Sequence, residues 1–194
     1  KSGQWWENEG QRALANNSVA FKGKPEMGTF MREWTSLYES KSGERGIFNR
    51  QAAKVKALEN NRRDANYYFG CNPCSEIILR PYQFCNLTEV VARETDTVDT
   101  LKEKVRIATI LGTFQSTLTN FKYLRKIWKD NTEEERLLGV SLTGILDCPV
   151  LNDTYYELEG VLEQLRYVAV ETNKKFAKDL GIPQSTAITC VKPS

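Results

Sequence analysis

Three side chains with complementary chemistry crowd one stretch of this chain. Asn72, Cys74 and Glu76 alternate within Gly70 to Thr88, which also holds Cys71 and Cys85. In an extended or looped backbone, alternate residues point to one side. A thiol, a carboxamide and a carboxylate are then offered together. Pro73 excludes helix at Asn72 and fixes its own φ, so the tip is stiff. Ile77-Ile78-Leu79 follows, an apolar run that predicts a buried strand of parallel type. Reactive groups are commonly carried this way, on a loop fixed by a rigid element.

The other cysteine chemistries fit less well. Cys71 and Cys74 form a C-x-x-C, which in isolation suggests a redox pair or half of a zinc site. A zinc site needs four ligands, and the only other nearby thiol is Cys85. A thioredoxin-like pair opens a helix, whereas this segment leads into Ile-Ile-Leu and then Pro81. The chain contains no histidine, which excludes Ser-His and Cys-His hydrolase chemistry and His-containing zinc sites. Cys148 and Cys190 read as small buried hydrophobes. Five cysteines, an odd number with three inside fifteen residues, do not make a secreted disulfide framework. They point to a reducing compartment, the cytoplasm (of a host cell if the source is viral).

The elements around this stretch come from an ordinary globular sequence. The 194 residues are 40% hydrophobic and 27% charged, enough for one domain with a substantial core. A net charge of +2 gives no argument for nucleic acid or a membrane surface. No apolar run approaches the roughly 20 residues of a membrane span. Lys1 and the stop at Lys192-Pro193-Ser194 read as interruptions of something longer.

Trp5 to Ala15 is weakly helical, and Asn17 to Phe21 reads as a short strand. Pro25 opens a helix with Met27, Phe30, Met31, Trp34, Leu37 and Tyr38 on one stripe, ended by Ser42-Gly43. Gly46-Ile47-Phe48 is a strand, and Asn49 caps a helix from Arg50 to about Leu58. Thr100 and Glu103 form a capping box. They precede a core-facing stripe of Leu101, Val105, Ala108, Leu111, Phe114, Leu118, Phe121 and Leu124. That helix runs to about Trp128, with a break near Gly112. Thr132 with Glu135, and Thr154 with Glu157, repeat the capping pattern. The second opens a helix with a core stripe from Leu158 through Leu162, Leu165 and Val168 to Phe176, stopped by Gly181 and Pro183. Thr186 to Val191 is a final buried strand of parallel type. Short strands alternating with long helices predict an α/β fold with parallel strands.

The Asn-x-Cys-x-Glu alternation resembles the finger loop of ribonucleotide reductases. The longer pattern, Asn72-Pro73-Cys74-Ser75-Glu76-Ile77 followed by Phe84-Cys85-Asn86-Leu87-Thr88-Glu89, is similar to the monomeric adenosylcobalamin-dependent class. Asn16-Asn17-Ser18-Val19 and Gly43-Glu44-Arg45-Gly46-Ile47-Phe48-Asn49 resemble segments upstream of that loop, with Arg45 where the family often has Pro. Gly112 to Thr117 and Arg136 to Val140 resemble segments downstream. Lys192-Pro193-Ser194 looks like the start of the family's phosphate-binding loop. The resemblance covers nearly the whole chain, in the family's order.

The resemblance implies a fold and a chemistry. Residues 1–194 would be a central part of a ten-stranded α/β barrel, with the thiol loop passing through its centre. Cys74 would carry a thiyl radical that abstracts the ribose 3′ hydrogen. Glu76 would take the 3′-hydroxyl proton, and Asn72 would hydrogen-bond the substrate hydroxyls. Cys85 would be one of two reducing thiols, its partner lying outside this chain. Pro193 and Ser194 would begin the loop that holds the substrate phosphates. Adenosylcobalamin is the implied cofactor; the alternative is a radical from a separate ferritin-like metal subunit. The implied partners are a ribonucleotide substrate, a nucleotide effector and a thioredoxin-like reductant, with no direct nucleic-acid binding, no membrane and no bound metal in this stretch. A reading of another class is a non-enzymatic zinc or scaffold module.

Overall fold

A computed structural model describes residue 7 and residues 18–41, 46–59, 61–73, 76–152 and 157–188. The expected helix over Trp5 to Ala15 lies outside these residues but for Glu7, and Thr154 lies outside them entirely. The chain divides into two compact units, Lys1–Pro81 and Tyr82–Ser194. Among the described residues, no helix is long and apolar enough to cross a membrane.

In the first unit, β1 (Ser18–Phe21) and β2 (Gly46–Asn49) pair in parallel, from Ser18 with Gly46 to Phe21 with Asn49. Parallel strands need a crossover, and α1 (Met27–Ser40) lies within it. α1 ends at Lys41, which turns left-handed with φ 50°. The expected stripe forms, yet Met27, Met31, Trp34 and Tyr38 on it are exposed. Asn49 caps α2 (Arg50–Leu58) as its sequence predicts, its side chain accepting from the Ala52 N–H at 3.0 Å. Ala53 and Ala57 of α2 pack with Phe48, Ala65 and Phe69 in a small core.

Next come β3 (Gly70–Cys71) and β4 (Ile78–Leu79), which pair antiparallel. This corrects the parallel strand expected over Ile77 to Leu79. Reversal within so few residues permits only antiparallel pairing, because a parallel partner would need a long crossover. Ile77 is buried but lies ahead of the strand, and Ile78 and Leu79 are only half-buried.

In the second unit, β5 (Asn86–Val91) and β6 (Leu138–Thr143) pair in parallel from Asn86 with Leu138 to Val91 with Thr143. The crossover holds α3 (Val98–Gln115) and α4 (Lys126–Glu135). After β6 come a 3-10 turn (Ile145–Asp147), α5 (Pro149–Asn152) and α6 (Leu158–Asp179). α3 packs on α6 and on both strands. The core gathers Val90, Leu101, Val105, Leu138, Val140, Leu165 and Ala169 with the buried thiol of Cys148. Gly144, just past β6, has φ 72°, and a Cβ there would meet the Ala92 carbonyl oxygen at 2.4 Å. Only glycine fits both conditions.

Several expectations shift here. The cap of α3 is Thr97, one turn before Thr100: the Thr100 N–H donates to the Thr97 hydroxyl at 3.2 Å, and the Thr97 N–H to the Thr100 hydroxyl at 2.9 Å. Glu103, which suggested the later cap, pairs with Arg106 at 2.6 Å instead. α3 ends at Gln115, beyond Gly112, and does not reach Trp128, which belongs to α4. Thr132 and Glu135 lie inside α4 and open nothing; Arg136 ends that helix in the left-handed region at φ 43°. The first half of the α3 stripe is buried as expected, but Leu111, Phe114, Leu118 and Leu124 are exposed. Thr109, Gly112, Thr113 and Ser116 face the core in their place. Their hydroxyls fold back onto helix carbonyls, Thr109 to Val105 and Thr113 to Thr109 at 2.7 Å and Ser116 to Thr113 at 2.6 Å, which satisfies them when buried.

On α6 the buried line is Val161, Leu165, Ala169, Asn173 and Ala177, while Leu158 and Leu162 are exposed. Asn173 selects this line, since its amide donates to the Thr113 hydroxyl and accepts from the Ser185 N–H, both at 2.9 Å. The helix stops at Leu180 and Gly181, as the sequence predicts. Of the final strand expected over Thr186 to Val191, Thr186 to Ile188 are described and are not strand, although the Thr186 N–H donates to the Glu135 carbonyl and the Leu138 N–H to that of Ala187.

Candidate functional site

The loop with Asn72 and Glu76 is held from below by an arginine–aromatic ladder. Tyr67, Tyr68 and Phe69 are consecutive, and each carries a guanidinium over its ring: Arg80 at 4.3 Å, Arg50 at 3.9 Å and Arg63 at 4.8 Å respectively. Such contacts strengthen when desolvated, and Arg63 and Arg80 are buried. Two of the arginines also bond the backbone: Arg63 donates to the Ile78 carbonyl at 2.8 Å and Arg50 to that of Phe69. The β3–β4 base is therefore fixed from both strands.

Above that base, Asn72 closes the loop. Its N–H donates to the Ile77 carbonyl at 3.2 Å, and its Oδ1 accepts from the Ile77 N–H at 2.9 Å. Asn72 thus caps the loop, the local role that its residue type offers beside a substrate contact. Glu76 sits inside the closed loop, half-buried, and its Oε2 is buried with no hydrogen-bond partner among the described residues. A buried carboxylate oxygen without a donor is costly. Cys74, with Ser75, lies outside the described residues, as do Cys190, Pro193 and Ser194.

Cys85 belongs to the second unit, half-buried at the foot of β5. The residues leading to it are tied to α4. Asn131 Nδ2 donates to the Tyr82 carbonyl at 3.1 Å. Gln83, buried, donates to Glu135 Oε2 at 2.5 Å and to the Asn131 carbonyl at 3.4 Å. Phe84 stacks on Trp128 at 4.6 Å and meets Phe121 edge-on at 5.1 Å. The next residue, Asn86, bonds the Leu137 carbonyl through both its backbone N–H and its Nδ2, at 3.0 and 3.2 Å. Sequence reasoning missed these supports. The signal for the ladder was there, in Tyr67-Tyr68-Phe69 between Arg62-Arg63 and Arg80; the Gln83–Glu135 pair had none, because its members are far apart in sequence.

Among the described residues, no three of His, Cys, Asp and Glu gather as a metal site would require. Two cavities lie elsewhere, one against α2 (Asn49, Ala52, Val55 and neighbours) and one between Thr117 and Lys129. Asn72, Glu76 and Cys85 line neither.

Comparison with known proteins gives one consistent answer. No family model matches, and no solved structure matches. An adenosylcobalamin-dependent ribonucleoside-triphosphate reductase of Lacticaseibacillus paracasei is 27% identical over 212 residues, covering 94% of this chain and 27% of that protein. Proteins of the same name from Lactobacillus acidophilus and Lactobacillus helveticus are each 28% identical, over 64% of this chain and 20% of their own length. The chain thus spans about a fifth to a quarter of the curated relatives it matches. By sequence it is similar to adenosylcobalamin-dependent ribonucleoside-triphosphate reductases, the group that the pattern Asn72, Cys74, Glu76 resembles.

Proposed function

We propose that this chain is a central part of the catalytic barrel of a ribonucleotide reductase, and that it serves the reduction of ribonucleoside triphosphates to deoxyribonucleotides for DNA synthesis. The observation that carries this reading is the closed loop from Asn72 to Ile77 with the Glu76 Oε2 buried and undonated. Among the described residues no group donates to that oxygen, which supports reading Glu76 as the acceptor of a substrate proton. A ribose 3′-hydroxyl supplies one.

The steps follow from the side chains. Cys74, as a thiyl radical, takes the 3′ hydrogen atom and becomes a thiol. Glu76 accepts the 3′-hydroxyl proton as general base. Asn72 spends its Oδ1 on the loop, so its Nδ2 is the donor for a substrate hydroxyl. The 2′-hydroxyl leaves as water. Cys85 and a second thiol outside this chain together give up two electrons and two protons and join as a disulfide: one proton leaves with the 2′-hydroxyl as water, the other ends with the two electrons on C2′, and Glu76 returns its proton to the 3′ oxygen. The 3′ hydrogen then returns from Cys74, which is a radical again. A thioredoxin-like dithiol resets the disulfide. Pro193 and Ser194 begin the loop for the substrate phosphates, and a nucleotide effector acts elsewhere on the barrel.

Adenosylcobalamin, named for the relatives, supplies the initial radical when bound. The cavities against α2 and between Thr117 and Lys129 are not lined by Asn72, Glu76 or Cys85. The chemistry assigned to this chain begins at the thiol.

The test is made in the complete reductase. Cys74→Ser should abolish deoxynucleotide formation and 3′-tritium release while substrate affinity changes little, because an O–H bond is too strong to exchange hydrogen at that position. Cys85→Ser should still release 3′-tritium but fail in deoxynucleotide yield. Retained reduction in Cys74→Ser, or identical partial losses in both variants, would overturn the assignment. Activity with adenosylcobalamin alone separates this class from one that needs a metal-containing partner subunit.

A further inference from the structure

We infer that Gln83 and Glu135 form a positioning pair for Cys85, with α4 as the platform that sets where the thiol lies; this rests on the reading of Cys85 as a reducing thiol. The three residues before Cys85 are each fastened to the segment from Phe121 to Glu135. Tyr82 is held through its carbonyl by Asn131, with its ring edge-on to Trp128 at 5.8 Å and the Arg125 guanidinium 4.5 Å from its centre. Gln83 is held by Glu135 and Asn131, and Phe84 by Trp128 and Phe121. The residue after Cys85 is fixed as firmly, by Leu137, two positions beyond Glu135.

Two features go beyond ordinary packing. Tyr82 is left-handed, φ 59°, which is uncommon for a bulky residue and persists only where surroundings enforce it. The Gln83–Glu135 bond is buried, with both residues at most 5% exposed. An apolar pair would fill the same space, but would let the chain slide. A directional bond fixes register, and register decides which way the next side chain points. For a thiol that must meet a second thiol, an error of about 1 Å costs on the order of 100-fold in rate.

Reversing the pair tests this in the complete reductase. Gln83→Glu sets two carboxylates face to face. The double variant Gln83→Glu/Glu135→Gln restores a donor and an acceptor in swapped order, though not the contact to the Asn131 carbonyl. Gln83→Glu should slow multiple-turnover deoxynucleotide formation about 10-fold or more, with 3′-tritium release within about 2-fold of the parent, since Cys74 is untouched. The double variant should recover most of the loss. The rate of Cys85 alkylation by iodoacetamide, mapped by mass spectrometry, should change in the single variant and return in the double. Equal losses in reduction and tritium release, or no recovery in the double variant, would overturn the pair's positioning role. Should Cys85→Ser leave deoxynucleotide formation intact, the reductant reading falls, and alkylation alone judges the pair: an unchanged rate in all three proteins defeats it.

Discussion

The Asn72–Glu76 loop and the approach to Cys85 solve one problem by different means. Both fix a few residues to which the proposed function assigns chemistry. The first is tied across a separation of five residues, from Asn72 to Ile77, over a base braced by arginines on ring faces. The second is tied across 52 residues, from Gln83 to Glu135. Closing the longer separation costs about 2 kcal/mol more in chain entropy. The α3 and α4 crossover and the β5–β6 ladder offset that cost. The loop therefore depends on its own neighbourhood, whereas the Cys85 approach depends on the whole second unit being folded.

The largest effect is expected where the local brace is cut. Arg63→Leu removes the bond to the Ile78 carbonyl and the contact with Phe69. It should cost about 2–4 kcal/mol in urea unfolding and speed hydrogen exchange at the Asn72 and Ile77 amides. A variant that exchanges there at the parental rate would break the claim that the ladder holds the loop.

A smaller loss is expected from Trp128→Leu. Two ring contacts go, to Phe84 and Tyr82, worth about 0.5–1.5 kcal/mol each. Near-UV circular dichroism and the unfolding midpoint read the change. If Trp128→Leu costs more than Arg63→Leu, the order of the two regions is reversed.

The smallest effect belongs to Asp96, which anchors the lead-in to α3 away from both regions. Burial opposes its ionisation, but hydrogen bonds from Lys104, the Thr100 hydroxyl and the Arg93 N–H outweigh this and hold its carboxyl below the ordinary 3.8. A lowered folded value means the unfolded chain takes the proton first. The stabilisation is therefore complete above about pH 4 and fades as pH falls through the folded value. Asp96→Asn should cost about 1 kcal/mol at neutral pH, and its difference from the parent should shrink on acidification. A difference independent of pH would show that the carboxylate charge contributes nothing.

Much of the local scaffold was legible before the structure. Asn49 announced its helix because a cap is a short-range event. Gly181 and Pro183 announced the end of α6 for the same reason. The α3 cap was misplaced by one turn because Thr97 and Thr100 are chemically alike, and the deciding fact was that Glu103 had another partner. The core stripes of α3 and α6 were misread because Thr109, Thr113 and Asn173 are buried polar residues that satisfy each other or the backbone. Hydrophobic periodicity does not register such pairs. At the site, residue types and spacing single out Asn72, Cys74 and Glu76, of which Asn72 and Glu76 are among the described residues. That Asn72 could cap the loop is legible from its residue type; that its partner is the Ile77 N–H is not, because this depends on a chain reversal at Ile77.

The 52-residue span of the Gln83–Glu135 bond has a consequence for biosynthesis. A ribosome adds about 5–20 residues each second. Asn72 and Ile77 are therefore made within roughly a second of one another, and their loop can close soon after both have emerged. Gln83, by the same rate, waits roughly 3–10 seconds before Glu135 is even polymerised. For that interval Cys85 is a thiol without its platform, in a nascent chain that already carries Cys71 and Cys74. A thiol-reducing environment would keep Cys85 from pairing with them during that interval.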